Sequence, residues 1–484
     1  METCSNGKQN THRYTTTHTH THAITESGLH QQLIPFIICS FIISFPSPFG
    51  NRYDFGVFAS FSTEISKAFF TGGRLEELLE VYGVFAVAFF ARPVGGFLLG
   101  LIGDRYARTL SLQISVVAMG ISALIISILP TNSVGSYAIG PTATVLIVIV
   151  RVVQGLSVGG EMVGSMLYMV ENVPPKWKLT VSCVPMASAI AGTGTGYLVS
   201  AIITGALSEE QRLLWGWRLA FALGVPAGAV GFMFRTCLSE SHSFSSAIKK
   251  FRHRHQNQHP FFYALKMEPL ALVVLSLLSM VVCGYYAATI WYNQAWLEEF
   301  YTELIGPTLG LTELQGRILN TFLIYFGLAG GSMVTAVIID TRGSKVPLFY
   351  YIAVSGSFLV ILTPVFLWLM SFGNRCYACV IGGQLGGMLF FLPTIAPLAL
   401  FLVSQFPVQL QYTSIALSYN IGQACFGGTM PYVATSMTFS DKLPLIAPSY
   451  YVSFLAMLGV ASVLLGRLQR VRKLVEDLGF TMNS

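Results

Sequence analysis

The sequence predicts an all-α membrane protein with twelve transmembrane helices arranged as two six-helix halves. Three observations predict this fold class: an apolar composition, twelve apolar segments of membrane-spanning length, and a polar interruption after the sixth segment. Hydrophobic residues make up 53% and charged residues 10% of the 484 residues, whereas soluble domains carry about 25% charged residues. With a mean hydropathy of +0.62, the chain has too few charges to cover a soluble protein of this size.

The first 32 residues form a polar tail that we predict to be disordered. The tail contains THTHTH at residues 17–22, and alternate histidines do not share a helix face, which favours disorder over a metal site. It lacks the apolar core of a secretory signal, but its Thr-rich, acid-poor composition leaves a transit peptide open. Of the eight cysteines, only Cys376 and Cys379 have CxxC spacing, with no second ligand pair nearby. We therefore predict no metal site and no cofactor.

Twelve apolar segments follow, and each is long enough to cross a bilayer as a helix of about 20 residues. They are predicted at 33–64, 78–102, 109–130, 142–168, 178–204, 216–236, 268–294, 317–339, 346–371, 376–403, 409–436 and 447–467. The first segment contains Pro46, Pro48 and Gly50, which predicts a broken helix or a helix preceded by an interfacial segment.

The longest polar interruption, residues 239–259, lies between the sixth and seventh segments. It divides the chain into an N-terminal tail, a first bundle, a linker, a second bundle and a C-terminal tail, at residues 1–32, 33–237, 238–266, 267–468 and 469–484. Basic residues follow segments two, four, six, eight and twelve, and acidic residues gather at the opposite ends. The positive-inside rule then places both termini and the linker in the cytosol. This topology accounts for the net charge of +6 without a nucleic-acid partner.

An internal repeat supports the division into halves. GLIGDRYART at residues 100–109, after segment two, is echoed by AVIIDTRGSK at residues 336–345, after segment eight. Each copy has apolar positions, an aspartate, and basic residues around a turn, as two related halves predict. In segment two, Gly95, Gly96, Gly100 and Gly103 leave one side of the helix without side chains, so that a second helix can approach it closely.

These residues resemble the major facilitator superfamily, whose loop motif GxxxDRxGRR lies between segments two and three. Gly100, Asp104, Arg105 and Arg108 match the motif, whereas the glycine and second basic position are occupied by Ala107 and Thr109.

Four further strings resemble the metabolite:proton symporter branch of that superfamily, which includes proline/betaine, α-ketoglutarate, citrate and shikimate transporters. They are RYDFGVFA at 52–59, RPVGG at 92–96, RVVQGLSVGGE at 151–161 and WGWRLAF at 215–221. The resemblance extends from about Pro48 to Arg235 and continues to the C-terminus mainly as hydropathy. It implies the major facilitator fold and alternating access around a midplane site.

We predict that the loop motif joins cytosolic helix ends rather than touching substrate. The predicted gate consists of Gly100, Asp104, Arg105, Arg108, Glu171, Glu240, Asp340, Arg342 and Lys345. In its second copy, Thr341 and Ser344 replace arginines. The basic turn that the branch has before segment eleven is replaced by the uncharged FPVQLQYT at 406–413.

Asp54 and Glu161 are the predicted proton-coupling residues. All nine histidines lie outside the apolar segments, so a proton carrier within them must be a carboxylate. Burial favours the protonated form of a carboxylate, and a nearby arginine favours its charged form. Asp54 and Glu161 are the only acidic residues well inside the segments. The alternative for either is a permanent structural ion pair, such as Glu161 with Arg92 or Arg151.

Arg92 is the predicted ligand for a substrate carboxylate, with Arg52 second. Arg92 precedes Gly100 by eight residues, or about 12 Å along a helix, and a guanidinium at that depth binds a carboxylate bidentately. The alternative is a neutralising partner for a carboxylate of segment four. Arg151 and Gln154 are predicted to line the path.

Segment seven contains a predicted aromatic cage. Its rings could hold a cationic headgroup while an amide donates to a carboxylate, and the residues are Tyr285, Tyr286, Trp291, Tyr292 and Asn293. The alternative is an aromatic belt at the membrane interface.

These residues predict a proton-coupled symporter of a small organic solute, such as proline/betaine or a dicarboxylate. A zwitterion fits Arg92 plus aromatic rings better than a tricarboxylate does. The alternatives are an uncoupled facilitator and a transporter-like sensor. No nucleophile–base pair or metal cluster lies within the segments, so we expect no catalytic residues. The expected partners are the solute, the proton and the lipid bilayer, for a monomer in the plasma membrane or an organelle membrane.

Overall fold

The structure is a computed structural model, and it describes residues 46–70, 74–132, 138–236, 240, 242–254, 260–267, 269–279, 313–342, 346–371, 377–438, 440, 443, 444 and 446–477. Helices and turns make up this part of the chain, and it contains no strand. The predicted all-α fold class is therefore confirmed.

In the described part of the first half, seven helices of eight or more residues correspond to the first six predicted segments. They are α1 Pro46–Ser60, α2 Ser62–Phe69, α3 Arg74–Arg105, α4 Arg108–Ile128, α5 Thr142–Glu171, α6 Lys178–Ala206 and α7 Trp217–Thr236. The first segment is interrupted at Phe61, whereas Pro46, Pro48 and Gly50 lie within helical turns. Hydrogen bonds from Phe61 N to Val57 O and from Ile65 N to Phe61 O continue across the interruption.

The described parts of the linker and the second half contain nine further helices of eight or more residues. They are α8 His242–Arg254, α9 Pro260–Met267, α10 Pro269–Ser279, α11 Glu313–Thr341, α12 Leu348–Ser371, α13 Tyr377–Val403, α14 Gln411–Gly422, α15 Met430–Thr438 and α16 Ala447–Asp477. A π-helical turn, Gln423–Gly427, separates α14 from α15 within the eleventh predicted segment. Of the seventh predicted segment, the structure describes only residues 269–279.

Nine helices in the described part of the chain are long and apolar enough to cross a membrane. They coincide with predicted segments two to six, eight to ten and twelve. Segment eleven is interrupted by the π-helical turn, which shortens its individual helices below membrane-spanning length, and segment one is described only from residue 46 onward.

The most extensive contacts between the halves are those of α3 with α14 and of α6 with α11, and α13 also packs on α6 and α14 on α5. The predicted glycine face of α3 makes the first contact close. A Cβ built on Gly100 would lie 2.7 Å from Thr413 Cα, and one on Gly103 would lie 2.2 Å from the Tyr412 ring. Glycine is therefore required at positions 100 and 103, where α14 packs closely on α3.

Candidate functional site

Asp54, Gln154 and Arg151 form a buried row between α1 and α5. Gln154 Nε2 donates to Asp54 Oδ2 at 3.4 Å, and Arg151 Nη1 donates to Gln154 Oε1 at 2.9 Å. All three side chains are at most 2% exposed. Asp54 Oδ1 and Arg151 Nε and Nη2 have no hydrogen-bond partner in the described structure. The amide of Gln154 thus bridges a buried carboxylate and a buried guanidinium that keep unused hydrogen-bonding capacity.

Helix α7 closes the other side of this row. A Cβ built on Gly224 would lie 2.9 Å from Asp54 Oδ1, and the Tyr53 hydroxyl donates to Ala220 O at 2.8 Å. The absence of a side chain at Gly224 is what gives the carboxylate room beside α7.

Arg92 lies at the interface between the halves. Its Nη1 donates to Gln423 Oε1 at 2.6 Å, and its Cζ lies 3.6 Å from the centroid of the Phe89 ring and 4.7 Å from that of Phe55. Arg92 is fully buried, as is Gln423, the first residue of the π-helical turn. Such turns are frequent at functional sites. Gln423 was not predicted as a site residue, although its position as a glutamine inside an apolar segment was a signal that could have identified it.

Glu161 forms an ion pair with Arg235. Arg235 Nη2 donates to Glu161 Oε1 at 3.1 Å and to Ser165 Oγ at 3.0 Å, and both charged groups are buried. The suggested partners Arg92 and Arg151 donate to Gln423 and Gln154. Arg235 was not predicted as the partner, because it lies at the end of the sixth apolar segment rather than well inside it.

Arg52 is buried in α1, two residues before Asp54. Its Cζ lies 5.7 Å from the Phe55 ring centroid, and its backbone oxygen accepts from Thr193 Oγ1 at 3.2 Å. The predicted cage in segment seven (Tyr285, Tyr286, Trp291, Tyr292 and Asn293) lies outside the described residues, as does Lys345 of the predicted gate.

The two aspartates of the repeat make matching contacts at the gate end, by which we mean the end of the bundle at the 105–108 loop. Asp104 Oδ2 accepts from Thr413 N at 3.0 Å and Thr413 Oγ1 at 2.6 Å, at the start of α14. Asp340 Oδ2 accepts from Thr180 N and Oγ1, both at 2.7 Å, at the start of α6. Each aspartate therefore binds the N-terminus of a helix in the other half, where a negative charge is favourable.

Arg108 forms a second set of contacts at the gate end. It pairs with Glu171, its Nη2 donates to Val408 O at 2.8 Å, and its Cζ lies 4.4 Å from the Phe244 ring centroid. Thr109 donates from N and Oγ1 to Glu240 Oε2 at 3.2 and 3.1 Å. The uncharged turn at 406–413 thus binds through backbone and hydroxyl groups, and Thr109 supplies hydrogen bonds where the motif has a charge.

Arg105 and Arg342 differ from the other described gate residues because both are exposed. Arg105 Cζ lies 5.7 Å from the Tyr106 ring centroid. Tyr412 was missed: its hydroxyl donates to Gly160 O at 3.0 Å and lies 3.0 Å from Ser111 Oγ. This fully buried side chain of the second half is inserted into the first.

Comparisons with known proteins indicate the class of protein that this chain resembles. The Sugar (and other) transporter family matches residues 39–257. The putative proline/betaine transporter of Staphylococcus aureus (strain MSSA476) is 27% identical over 425 residues, which cover 84% of this chain and 83% of the relative. The proline/betaine transporter of Salmonella typhimurium is 27% identical over 418 residues, covering 84% of this chain and 79% of the relative.

Solved structures share the fold. The proton:xylose symporter XylE bound to 6-bromo-6-deoxy-D-glucose aligns with a TM-score of 0.66 at 16% identity, over 90% of this chain and 95% of that one. The human organic anion transporter MFSD10 aligns with a TM-score of 0.63 at 14% identity, over 88% and 99%.

The fold and the comparisons together define a solute transporter that crosses the membrane several times and has the major facilitator fold. The resemblance to the major facilitator superfamily and to its proline/betaine transporters, predicted from the sequence, is confirmed. The matching family and relatives are transporters and not enzymes.

Proposed function

We propose that the protein is a proton-coupled symporter of a small zwitterionic or carboxylate metabolite, of the proline/betaine or dicarboxylate type. The halves 33–237 and 267–468, joined by the linker 238–266, would alternate in opening the site to either side. The observation that carries the proposal is the buried row Asp54–Gln154–Arg151, in which a carboxylate faces a guanidinium through a neutral amide. The names of the relatives, proline/betaine transporters, and of the proton symporter XylE support the substrate class and the coupling.

Asp54 is the proposed proton carrier. Arg151 is the charged group that faces it from α5, and Arg52 lies in its own helix. Arg92 of α3 lies beside Phe55 of α1 and donates to Gln423. The other charged residues of α2 and of α4 to α7 contact other partners or lie at helix ends: Glu64, Lys67, Arg108, Glu161, Glu171, Lys178, Arg218 and Arg235. A proton on Asp54 therefore removes the negative charge that balances Arg151.

Charge balance explains why proton and substrate would bind together. Arg151 is fully buried, and a buried charge without a counter-charge is costly. When Asp54 takes a proton, the site lacks one negative charge, and a substrate carboxylate replaces it. Each ligand then raises the affinity for the other, as binding linkage requires.

Arg92 is the proposed ligand for that carboxylate. In the structure its Nη1 holds the neutral oxygen of Gln423, and a carboxylate forms a stronger, charge-assisted bond with arginine than an amide does. We therefore propose that the substrate displaces Gln423. The faces of Phe55 and Phe89 beside Arg92 suit the cationic part of a zwitterion.

For Glu161 we propose a structural role in the first half rather than proton coupling. Its ion pair with Arg235 joins α5 to α7, which matches the structural alternative considered from the sequence. The gate contacts of Asp104, Asp340 and Arg108 would hold one side closed and separate when the carrier opens inward. We further propose a monomer with both termini in the cytosol, in the plasma membrane.

The test uses purified protein in proteoliposomes, with radiolabelled proline and betaine and an imposed pH gradient. We expect accumulation above the external concentration when the outside is acidic, and loss of this accumulation in Asp54→Asn. Glu210→Gln is the control, because Glu210 is an exposed acidic residue. Uptake of these substrates that is indifferent to the pH gradient would exclude proton coupling and favour an uncoupled facilitator.

A further inference from the structure

We infer that Phe85 connects the proton site to the substrate site and is a positioning residue for symport. This inference rests on the proposed function, because it takes Asp54 as the proton carrier and Arg92 as the carboxylate ligand. It concerns the path between the two sites, which neither the sequence motifs nor the relatives assign.

Phe85 lies at the centre of a buried aromatic cluster. Its ring centroid is 5.0 Å from that of Phe89, 5.8 Å from that of Phe55 and 6.3 Å from that of Phe58. Phe85 and Phe89 are one turn apart on α3, and Phe55 and Phe58 are one turn apart on α1, so each pair shares a helix face. All four rings are buried.

The two arginines lie at opposite ends of this cluster. Arg92 Cζ is 3.6 Å from the Phe89 ring centroid, and Arg151 Cζ is 3.6 Å from that of Phe58. Phe85 contacts both of these rings. A continuous row of contacting groups therefore runs from Arg92 through Phe89, Phe85 and Phe58 to Arg151.

Because these groups are closely packed, a displacement of Arg92 at one end of the row should displace the rings along it. When a substrate carboxylate draws Arg92 away from Gln423, the guanidinium leaves the position in which it contacts Phe89. Buried rings have discrete arrangements and do not leave a void, so Phe89 and Phe85 rearrange together. Phe58 then moves the guanidinium of Arg151 relative to Gln154 and Asp54, which changes the affinity of Asp54 for a proton.

A purely electrostatic connection gives a different expectation. The charges of Arg92, Arg151 and Asp54 remain when Phe85 is replaced by leucine, so Coulomb coupling would be nearly unchanged. The mechanical route through Phe85 is interrupted, because a leucine lacks the planar face that meets three rings. Phe85→Leu therefore separates the two explanations.

The experiment compares wild type, Phe85→Leu and Phe97→Leu. Phe97 is a matched control in the same helix, and its ring contact is with Phe261 of the linker, 5.4 Å away. For each protein we would measure betaine affinity at fixed pH, proton uptake on betaine binding with a pH-sensitive dye, and accumulation driven by a pH gradient.

We expect Phe85→Leu to bind betaine within about threefold of wild type and to lose at least about fivefold in gradient-driven accumulation, as loss of a coupling free energy predicts. Proton uptake on binding should fall in parallel, whereas Phe97→Leu should behave as wild type. Equal coupling in Phe85→Leu and wild type would overturn the inference and leave the proposed function intact. Wild-type uptake that ignores the pH gradient would overturn both. If Phe85→Leu does not fold, Phe58→Leu breaks the same row at its other end, and retained coupling there would also overturn the inference.

Discussion

Gln423 is a neutral partner of the Arg92 guanidinium. Its neutral oxygen occupies the guanidinium at 2.6 Å and can be displaced by a charged competitor. A buried arginine held by an aspartate or glutamate would instead form a bond that a substrate carboxylate could not easily replace. A neutral partner at this position therefore suits a site that must load and release an anion.

Gln423→Glu tests this difference at one residue. We expect a permanent ion pair with Arg92 and at least about a tenfold loss of betaine affinity, since charge-assisted bonds are roughly twice as strong as neutral ones. Equilibrium binding of radiolabelled betaine measures the effect. Gln405→Glu is the matched control, because Gln405 bonds to Phe401 O within the second half. Unchanged affinity in Gln423→Glu would show that the carboxylate does not compete for Arg92.

At the scale of elements, α14 packs on α3 by inserting the Tyr412 ring into a space beside glycine residues. Tyr412 of α14 fills the space left by Gly103 of α3 and Gly164 of α5, where built Cβ atoms would lie 2.2 and 2.4 Å from Tyr412 atoms. Its hydroxyl is bonded to Gly160 O. The gate end of the bundle is thus held closed by side-chain packing as well as by charge. A side chain placed at Gly103 or Gly164 should force the helices apart.

Gly103→Val should open the gate end. A native cysteine reports on this, because Cys183 is fully buried between α6 and α11 against Leu179 and Ala336. We expect maleimide labelling of Cys183, read by mass spectrometry, to be faster in Gly103→Val than in wild type. Gly120→Val is the control, since a Cβ on Gly120 meets nothing within 4 Å. Equal labelling rates in all three proteins would mean that Tyr412 does not hold the gate closed.

At the scale of the whole molecule, those features of the fold that depend on hydropathy and on local residue spacing could be predicted from the sequence. The apolar segments, the glycine face of α3 and the repeat around Asp104 and Asp340 are of this kind, because backbone groups in a bilayer must bond within a helix. The partners of buried charges could not be predicted. Arg92 with Gln423 joins residues 331 positions apart, and only the packing of the two halves selects that pairing from many polar residues.

The repeat gives the two halves equivalent closing contacts, and this equivalence is testable. Asp104 and Asp340 each bind the first turn of a helix in the opposite half, where a negative charge contributes about 1 kcal/mol. Asparagine keeps an accepting oxygen and loses the charge. We therefore expect Asp104→Asn and Asp340→Asn each to lower the closed-to-open ratio at the gate end about fivefold, and the double variant about 25-fold if the distant sites add.

Spin labels at positions 176 and 404 measure that ratio, because Lys176 and Ser404 are exposed residues of different halves. In a cysteine-free background, pulsed dipolar distances between the labels should gain a longer component in each single variant and a larger one in the double variant. Glu210→Gln controls for the loss of an exposed acidic charge and should leave the distances unchanged. An effect of Asp104→Asn without any effect of Asp340→Asn would show that one half alone closes the gate, because equivalent contacts in a two-fold repeat must contribute on both sides.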